Sequence, residues 1–404
     1  MKINHRRDFL KKSVLGLAGA ALIPGSLKAN SSGHADQQQI PDHPSRILGR
    51  TGIKTPLISM GAGQANNAGF VKAAYYAGIK LFFSATYYGE GNNERLVGEG
   101  LRGLPRDSFI VGTAVPPDNF DSRTGLFNKD FSYEGYMKKA TDSLARFGLD
   151  YVDIVMFPYA GKRDSVLNES LLKVLTDLKK QGKTKYLGIA SHGDTVEALN
   201  AAVDSKVYDV AMIAYNFKSG NMEALDAAIA KASGAGMGIV AMKTTAGVFN
   251  DKSGKNQINS DSALKWVLRN ENIASIVSGM SSIEELQKNL AMIRNLKMTE
   301  QDGKDLKLAY DELEKGLYCR QCRQCVPQCI HNYEIPTVMR SYMYAYGYRN
   351  PAFAQQTLVT AGLPSDACSD CSSCSVNCAS GFDVRERIAD ISRLKGVPGE
   401  FLIS

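Results

Sequence analysis

All eight cysteines of this 404-residue chain lie beyond residue 318, in two runs of one spacing. Cys319, Cys322, Cys325 and Cys329 form C-x2-C-x2-C-x3-C, and Cys368, Cys371, Cys374 and Cys378 repeat it. Steps of three residues wrap a short loop around one centre, so each run reads as a metal-binding set rather than half of a disulfide framework. Thiolates are the soft ligands that iron takes in clusters, and this spacing is that of a [4Fe–4S] site. Two such clusters are expected. Zinc sites and disulfides are the alternatives that the cysteines themselves leave open.

The double run resembles two-cluster ferredoxins, in which the fourth cysteine of each run serves the other cluster. That resemblance implies Cys319, Cys322, Cys325 and Cys378 on one cluster, and Cys368, Cys371, Cys374 and Cys329 on the other. The family's proline after the fourth cysteine is replaced by Ile330 and Ala379. Between the runs, Pro336–Tyr348 and Pro351–Gly362 read as helices opened by proline. A small, mainly helical ferredoxin-like domain over 301–395 follows, with a tail at 396–404. His331 reads as an ordinary surface residue. A close pair of clusters suits stepwise one-electron transfer, or else staples a domain with little core.

Upstream, short apolar runs recur at Leu57–Ala62, Leu81–Ala85, Phe109–Val115, Asp153–Tyr159, Tyr186–Ser191, Val210–Asn216, Gly238–Thr244 and Ser275–Met280. Stretches of helical spacing separate them, among them Ser132–Phe147 and Ser165–Gln181. Strands alternating with helices over about 250 residues predict an α/β fold, a (β/α)8 TIM barrel at 45–300. A doubly wound open sheet is the alternative, although no G-x-G-x-x-G follows the first strand.

Arg46-Ile-Leu-Gly-Arg-Thr-Gly52, Leu57-Ile-Ser-Met-Gly61, Tyr88–Gly98, Gly182–Ser191, Ala214-Tyr-Asn216 and Gly279–Asn289 together resemble the aldo/keto reductases. With the cysteine runs they point to the ferredoxin-fused branch of that family. The resemblance implies an Asp, Tyr, Lys and His tetrad in which tyrosine protonates a carbonyl while NADPH gives hydride. Tyr88 stands at the tyrosine position. The other three positions fall on Phe83, Ala114 and Pro158 or Phe157, and no shift of alignment restores them. An unassisted tyrosine, with a pKa near 10, is a poor acid at neutral pH. For the nucleotide, Lys243, Gly279 and Asn289 are the candidates, with Ser278 replacing the usual proline. Other residues at strand ends, where such barrels place their chemistry, are Ser84, Thr86, Thr113, Tyr159, His192, Tyr215 and Asn216. Tyr88 and His192 are the candidate proton-handling residues.

The net charge of +7 is concentrated at the start, and setting residues 1–28 aside leaves +2. That balance excludes a basic nucleic-acid footprint. Arg6-Arg7-x-Phe9-Leu10-Lys11 followed by the apolar stretch Val14–Ile23 resembles a twin-arginine signal over 1–29, with a linker at 30–44. The stretch is too short to span a bilayer as a helix. Export by that route, ending in the periplasm or tethered outside by a retained signal, is the expectation, and a disordered basic tail is the alternative.

Three functions compete. The first is an exported iron–sulfur oxidoreductase that acts on a small molecule at the barrel mouth and exchanges electrons with a redox partner protein or small carrier. The second is an electron-transfer protein whose inactive barrel is a docking surface. The third is an NADPH-dependent carbonyl reductase with a replaced tetrad. Hydride carries two electrons and each cluster passes one, so the third reading also needs a splitter that the sequence does not announce.

Overall fold

The computed structural model describes residues 40–121, 124–128, 131–247, 259–311 and 316–402. The signal segment 1–29 and most of the 30–44 linker lie outside the described residues. Eight parallel strands close into a barrel: β1 (Ile58–Gly61), β2 (Leu81–Ala85), β3 (Ile110–Ala114), β4 (Val152–Phe157), β5 (Thr184–Ser191), β6 (Val210–Ala214), β7 (Gly238–Met242) and β8 (Ile273–Gly279). Closure is made where β8 meets β1, with Ile276 opposite Ile58 and Gly279 opposite Gly61. Each predicted apolar run holds one strand, within a few residues at each end.

A helix follows every strand: α1 (Ala68–Tyr76), α2 (Asn92–Leu101), α3 (Tyr133–Phe147), α4 (Glu169–Lys180), α5 (Thr195–Ser205), α6 (Met222–Gly234), α7 (Ser260–Leu268) and α8 (Ile283–Met292). The predicted Ser165–Gln181 helix is in fact broken. Arg163–Val166 forms one turn, and α4 starts afresh because the Asn168 side chain caps the Leu171 amide at 3.0 Å.

Side chains alternate across the strands. Phe82, Val111 and Ile213 face the helices, while Phe83, Met156, Met212 and Met242 fill the barrel. Leu48, in the turn between Ser45–Ile47 and Lys54–Pro56, plugs the bottom. Gly49 sits there at φ +53°, and a Cβ on it would overlap the Gly238 backbone. Buried Glu94 of α2 accepts from Arg146 Nε (2.5 Å), Ser143 Oγ (2.6 Å) and Thr113 Oγ1 (2.6 Å), tying α2, α3 and β3 together.

Helix α9 (Glu300–Asp311), assigned from the sequence to the C-terminal domain, packs on the barrel instead. Its Asp302 accepts from Ser262 Oγ at 2.8 Å and pairs with Lys265 at 3.0 Å, both on α7. The cysteine-rich region contributes α10 (Ile335–Tyr346), α11 (Pro351–Thr360) and α12 (Val384–Ser392). Val338, Leu358, Phe382 and Ile388 form its core with Cys325 and Cys368. Ser341 Oγ donates to Ala354 O at 2.7 Å and sets α10 against α11. Among the described residues, no helix is long and apolar enough to cross a membrane.

Inside the barrel, a Cβ on Gly112 would overlap the Phe83 ring. Gly112→Ala is therefore expected to destabilise the fold by about 2 kcal/mol. Phe83→Leu in that background should recover part of the loss, giving a favourable coupling in a double-mutant cycle followed by chemical denaturation.

Candidate functional site

The mouth of the barrel is roofed by the cysteine-rich domain. Phe353 of α11 meets Tyr88 edge-on with ring centroids 5.3 Å apart, and Gln356 Nε2 donates to Tyr87 O at 2.7 Å. From α10, the Tyr344 hydroxyl accepts from Lys243 Nζ at 2.6 Å. Gln321, in the first cysteine run, lies so close to Gly193 that a Cβ there would sit 2.6 Å from its side chain. The domain thus touches the loops that follow β2, β5 and β7. Between barrel and roof lies a cavity of about 650 Å³.

Tyr88, His192, Lys243, Gly279, Asn289 and Ser84 all line this cavity. Tyr88 follows β2 in a turn where Gly89 and Glu90 adopt left-handed backbone, and its ring lies against Gly63. Burial, with Tyr344 and Tyr159 nearby, raises its phenol pKa, so the hydroxyl stays protonated throughout the neutral range. Phe83, Ala114 and Pro158 line the same cavity, so the wall beside Tyr88 is largely apolar there.

His192 follows β5 directly and opens onto the main cavity and two small ones beside it. Burial, then the charges of Arg340 and Lys243, push its pKa well below 6.5, leaving a neutral imidazole. Tyr159 stands beside it at φ +65°, stacked on Tyr87 at 6.0 Å. Arg340 of α10 had no sequence signal, yet its charge reaches Tyr87, Tyr88, Tyr159 and His192.

Other candidates are placed elsewhere. Thr113 faces outward onto Glu94. Tyr215 also turns outward, donating to Asp226 Oδ1 at 2.7 Å and packing on Trp266. Thr86 donates its amide to Ala114 O and does not line the cavity. Asn216 is a brace: its Nδ2 donates to Lys243 O at 3.0 Å and its Oδ1 accepts from the Lys218 amide at 2.9 Å. Toward β8 and α8, two of the groups proposed for a nucleotide lie against neighbouring side chains. Asn289 Nδ2 donates to Ser278 Oγ at 3.3 Å, and a Cβ on Gly279 would overlap the Gln64 side chain.

None of the eight cysteines is disulfide-bonded. Burial pushes the Cys319 thiol up to about 12, and the charges that add to it are those of Cys325, Cys378 and Cys322. The Cys368 thiol is pushed up to about 11 by burial, then by Cys371, Cys329 and Cys374. Thiols of both runs therefore lie near Cys319 and near Cys368. Such crowded thiols, Cys325 and Cys368 buried among them, become thiolates readily only around positive charge, so the donor set fits iron–sulfur clusters. Gln321 and Arg323 hold left-handed backbone in the first run, and the Gln321 amide donates to Cys319 Sγ at 3.4 Å. His331 differs from its surface reading: it is half-buried, with Nε2 3.2 Å from Cys371 Sγ. Cys319 lines one small space together with His192, Lys243 and Arg340.

Comparison with known proteins accords with both parts. The family model described as the aldo/keto reductase family matches residues 58–262, and a 4Fe-4S dicluster domain matches residues 318–383. L-galactose dehydrogenase of Arabidopsis thaliana is 27% identical over 302 residues, covering 65% of this chain and 91% of that protein. Morphine 6-dehydrogenase of Pseudomonas putida is 30% identical over 159 residues, covering 38% and 49%. A solved aldo-keto reductase from Bacillus halodurans, in its holo form, superposes with a TM-score of 0.54 at 20% identity, over 66% of this chain and 96% of that one. That likeness speaks for the fold alone.

The electrostatics of His192 are measurable. An unfolded chain takes up this proton below about 6.5 while the folded one does not, so stability falls as pH drops below that value. The His192 ring signals in NMR should stay unshifted from pH 8 to 5, and His192→Asn should flatten the acid-side loss of stability.

Proposed function

Because this chain belongs to the aldo/keto reductase family and joins a 4Fe-4S dicluster domain to its barrel, we propose that it is an exported iron–sulfur oxidoreductase acting on a small carbonyl, sugar-like or quinone-like molecule at the barrel mouth. The observation that carries this reading is the roof: the cysteine-rich domain closes the cavity, and Cys319 shares a small space with His192 and Lys243. Cys319, Cys322, Cys325 and Cys378 would hold one cluster, and Cys368, Cys371, Cys374 and Cys329 the other. Bound there, the clusters supply one electron at a time.

The chain's own residues do the rest. Phe83, Met156, Met242 and Phe353 give part of the cavity an apolar wall for an organic body. Tyr88 offers a hydroxyl proton as a hydrogen bond and releases it only to a strongly basic oxygen, because burial makes it a weaker acid. His192, held neutral, presents a ring N–H or a lone pair beside it. Electrons exchange with a partner protein or small carrier on the outer side of the cysteine-rich domain. His331 at Cys371 orients that end.

The residues present do not fit nicotinamide hydride chemistry. The three helper positions line the cavity as Phe83, Ala114 and Pro158, Gln64 lies over Gly279, and Lys288 is taken up by Asp261 at 3.4 Å. The apolar floor also favours a second reading, an electron-transfer protein whose barrel only docks a partner.

Anaerobic titration of iron-replete protein separates these. NADPH should leave the cluster absorbance unchanged, and dithionite should bleach it with uptake of about two electrons per chain. With a reduced viologen as donor and small quinones and aldehydes as acceptors, turnover should fall on the order of 10²-fold in Tyr88→Phe and in His192→Ala. Reversible reduction without any turnover would leave the docking reading standing, and bleaching by NADPH would restore the nicotinamide one.

A further inference from the structure

Lys243 lines the main cavity and Arg340 the small spaces beside it, neither with a carboxylate in ion-pair contact, although the charge of Glu334 reaches Arg340. Lys243 is the first residue past β7 and holds left-handed backbone at φ +57°, a region that costs a non-glycine residue energy. Fully buried Asn216 pins it there by donating to its carbonyl at 3.0 Å. The ammonium meets the Tyr344 hydroxyl at 2.6 Å and lies 4.6 Å from the centre of that ring. Among the described residues, no acid lies within ion-pair distance of Lys243 or of Arg340. Arg340 Nη2 donates to Thr337 Oγ1 at 3.1 Å. Its nearest acid in sequence, Glu334, is engaged by Arg323 at 2.9 Å and by the Thr337 amide at 2.7 Å.

The cavity wall does hold an acid, Glu285, but at the β8–α8 end, where it accepts from the Ser281 amide at 2.8 Å. The floor near Lys243 is apolar: Phe83, Met156 and Met242. A sheltered cation with no ion-pair partner attracts an anion. A strained lysine braced by a buried amide is a placed group rather than one reaching for solvent.

We propose that the molecule taken into the barrel mouth carries an oxyanion, a carboxylate or a phosphate ester, whose charge is received by Lys243 with Arg340 behind it. The Lys243 ammonium spends one of its three donors on Tyr344 and has two for the anion. Beneath it, the aromatic and thioether side chains take a compact organic body. The anion site joins both domains: Lys243 comes from the barrel and Arg340 from α10. This inference rests on the reading of the mouth as a substrate site and narrows it to acids.

Calorimetry on the iron-replete protein, with benzoate, phenyl phosphate and neutral benzamide as probes, tests it. At least one of the two anions should bind ten times or more tighter than benzamide, and the better of them identifies carboxylate or phosphate as the source. Lys243→Met should abolish that preference, with benzamide as the neutral reference. Lys243→Arg should keep it, and Arg340→Gln should weaken it. Circular dichroism and iron content report whether each variant has folded. Equal binding of all three probes, or a preference that survives in Lys243→Met, overturns the proposal. So does a Lys243→Met variant whose cluster midpoint moves while benzoate binding does not, since the lysine would then serve the thiolates. These probes are not reduced, so an anion preference without viologen turnover sinks only the redox reading. Turnover of neutral quinones without an anion preference sinks only this inference.

Discussion

Tyr344 takes the Lys243 ammonium on its hydroxyl and packs against Phe353, whose ring meets Tyr88 edge-on. Through this chain of contacts the C-terminal helices become the roof of the barrel, and the properties of the mouth depend on that roof. Without it, Tyr88 and His192 would face solvent at a strand end and titrate near their ordinary values. With it, burial is the first cause of both shifts, upward for the phenol and downward for the imidazole. The second cause, for His192, is a charge that the roof itself brings, Arg340. The cysteine-rich domain is therefore part of the site as well as its neighbour.

The same enclosure explains why an apolar floor is tolerable. An ionised Asp and Lys beneath a closed roof would each carry a desolvation cost, offset only by good mutual geometry. Phe83, packed on Gly112, and Ala114 carry none, and they leave the interior continuous with Met156, Met212 and Met242. Such side chains lend Tyr88 no electrostatic support as an acid. The polar work of the mouth moves from the floor to the rim, where His192 and Lys243 leave the ends of β5 and β7 and Arg340 descends from α10.

Much of this was legible in the sequence, and the misses have physical reasons. Eight apolar runs gave eight strands because burial on both faces leaves a continuous β-branched signal. The crossed assignment of the thiols came from a resemblance, and the charges that bear on Cys319 and Cys368 come from both runs. The Ser165–Gln181 helix broke because Asn168 prefers to cap. Thr113 and Tyr215 were placed at the mouth by proximity to strand ends alone. Alternation would have turned Thr113 away, since Phe83 and Ala114 face inward and the residue before Ala114 must face out. Arg340, Tyr344 and Phe353 carried no signal. They lie on helices about a hundred residues beyond β7, and only docking brings them to it. His331 failed for a like reason, because its partner Cys371 is in the other run.

The cysteine-rich domain has a small core, in which Cys325 and Cys368 are themselves buried members. Small cores of this kind rarely hold a fold unaided, and ligand thiolates that crowd together need positive charge to stay buried. Its order is thus tied to what its thiols hold. Because Tyr344, Phe353 and Arg340 belong to that domain, the tie extends to the barrel mouth. The cavity is covered, His192 is buried and Lys243 is seated on Tyr344 only when α10 and α11 are in place. The mouth of the barrel is thus completed by a segment whose own core includes its thiols. Two halves that look separable in sequence form one site.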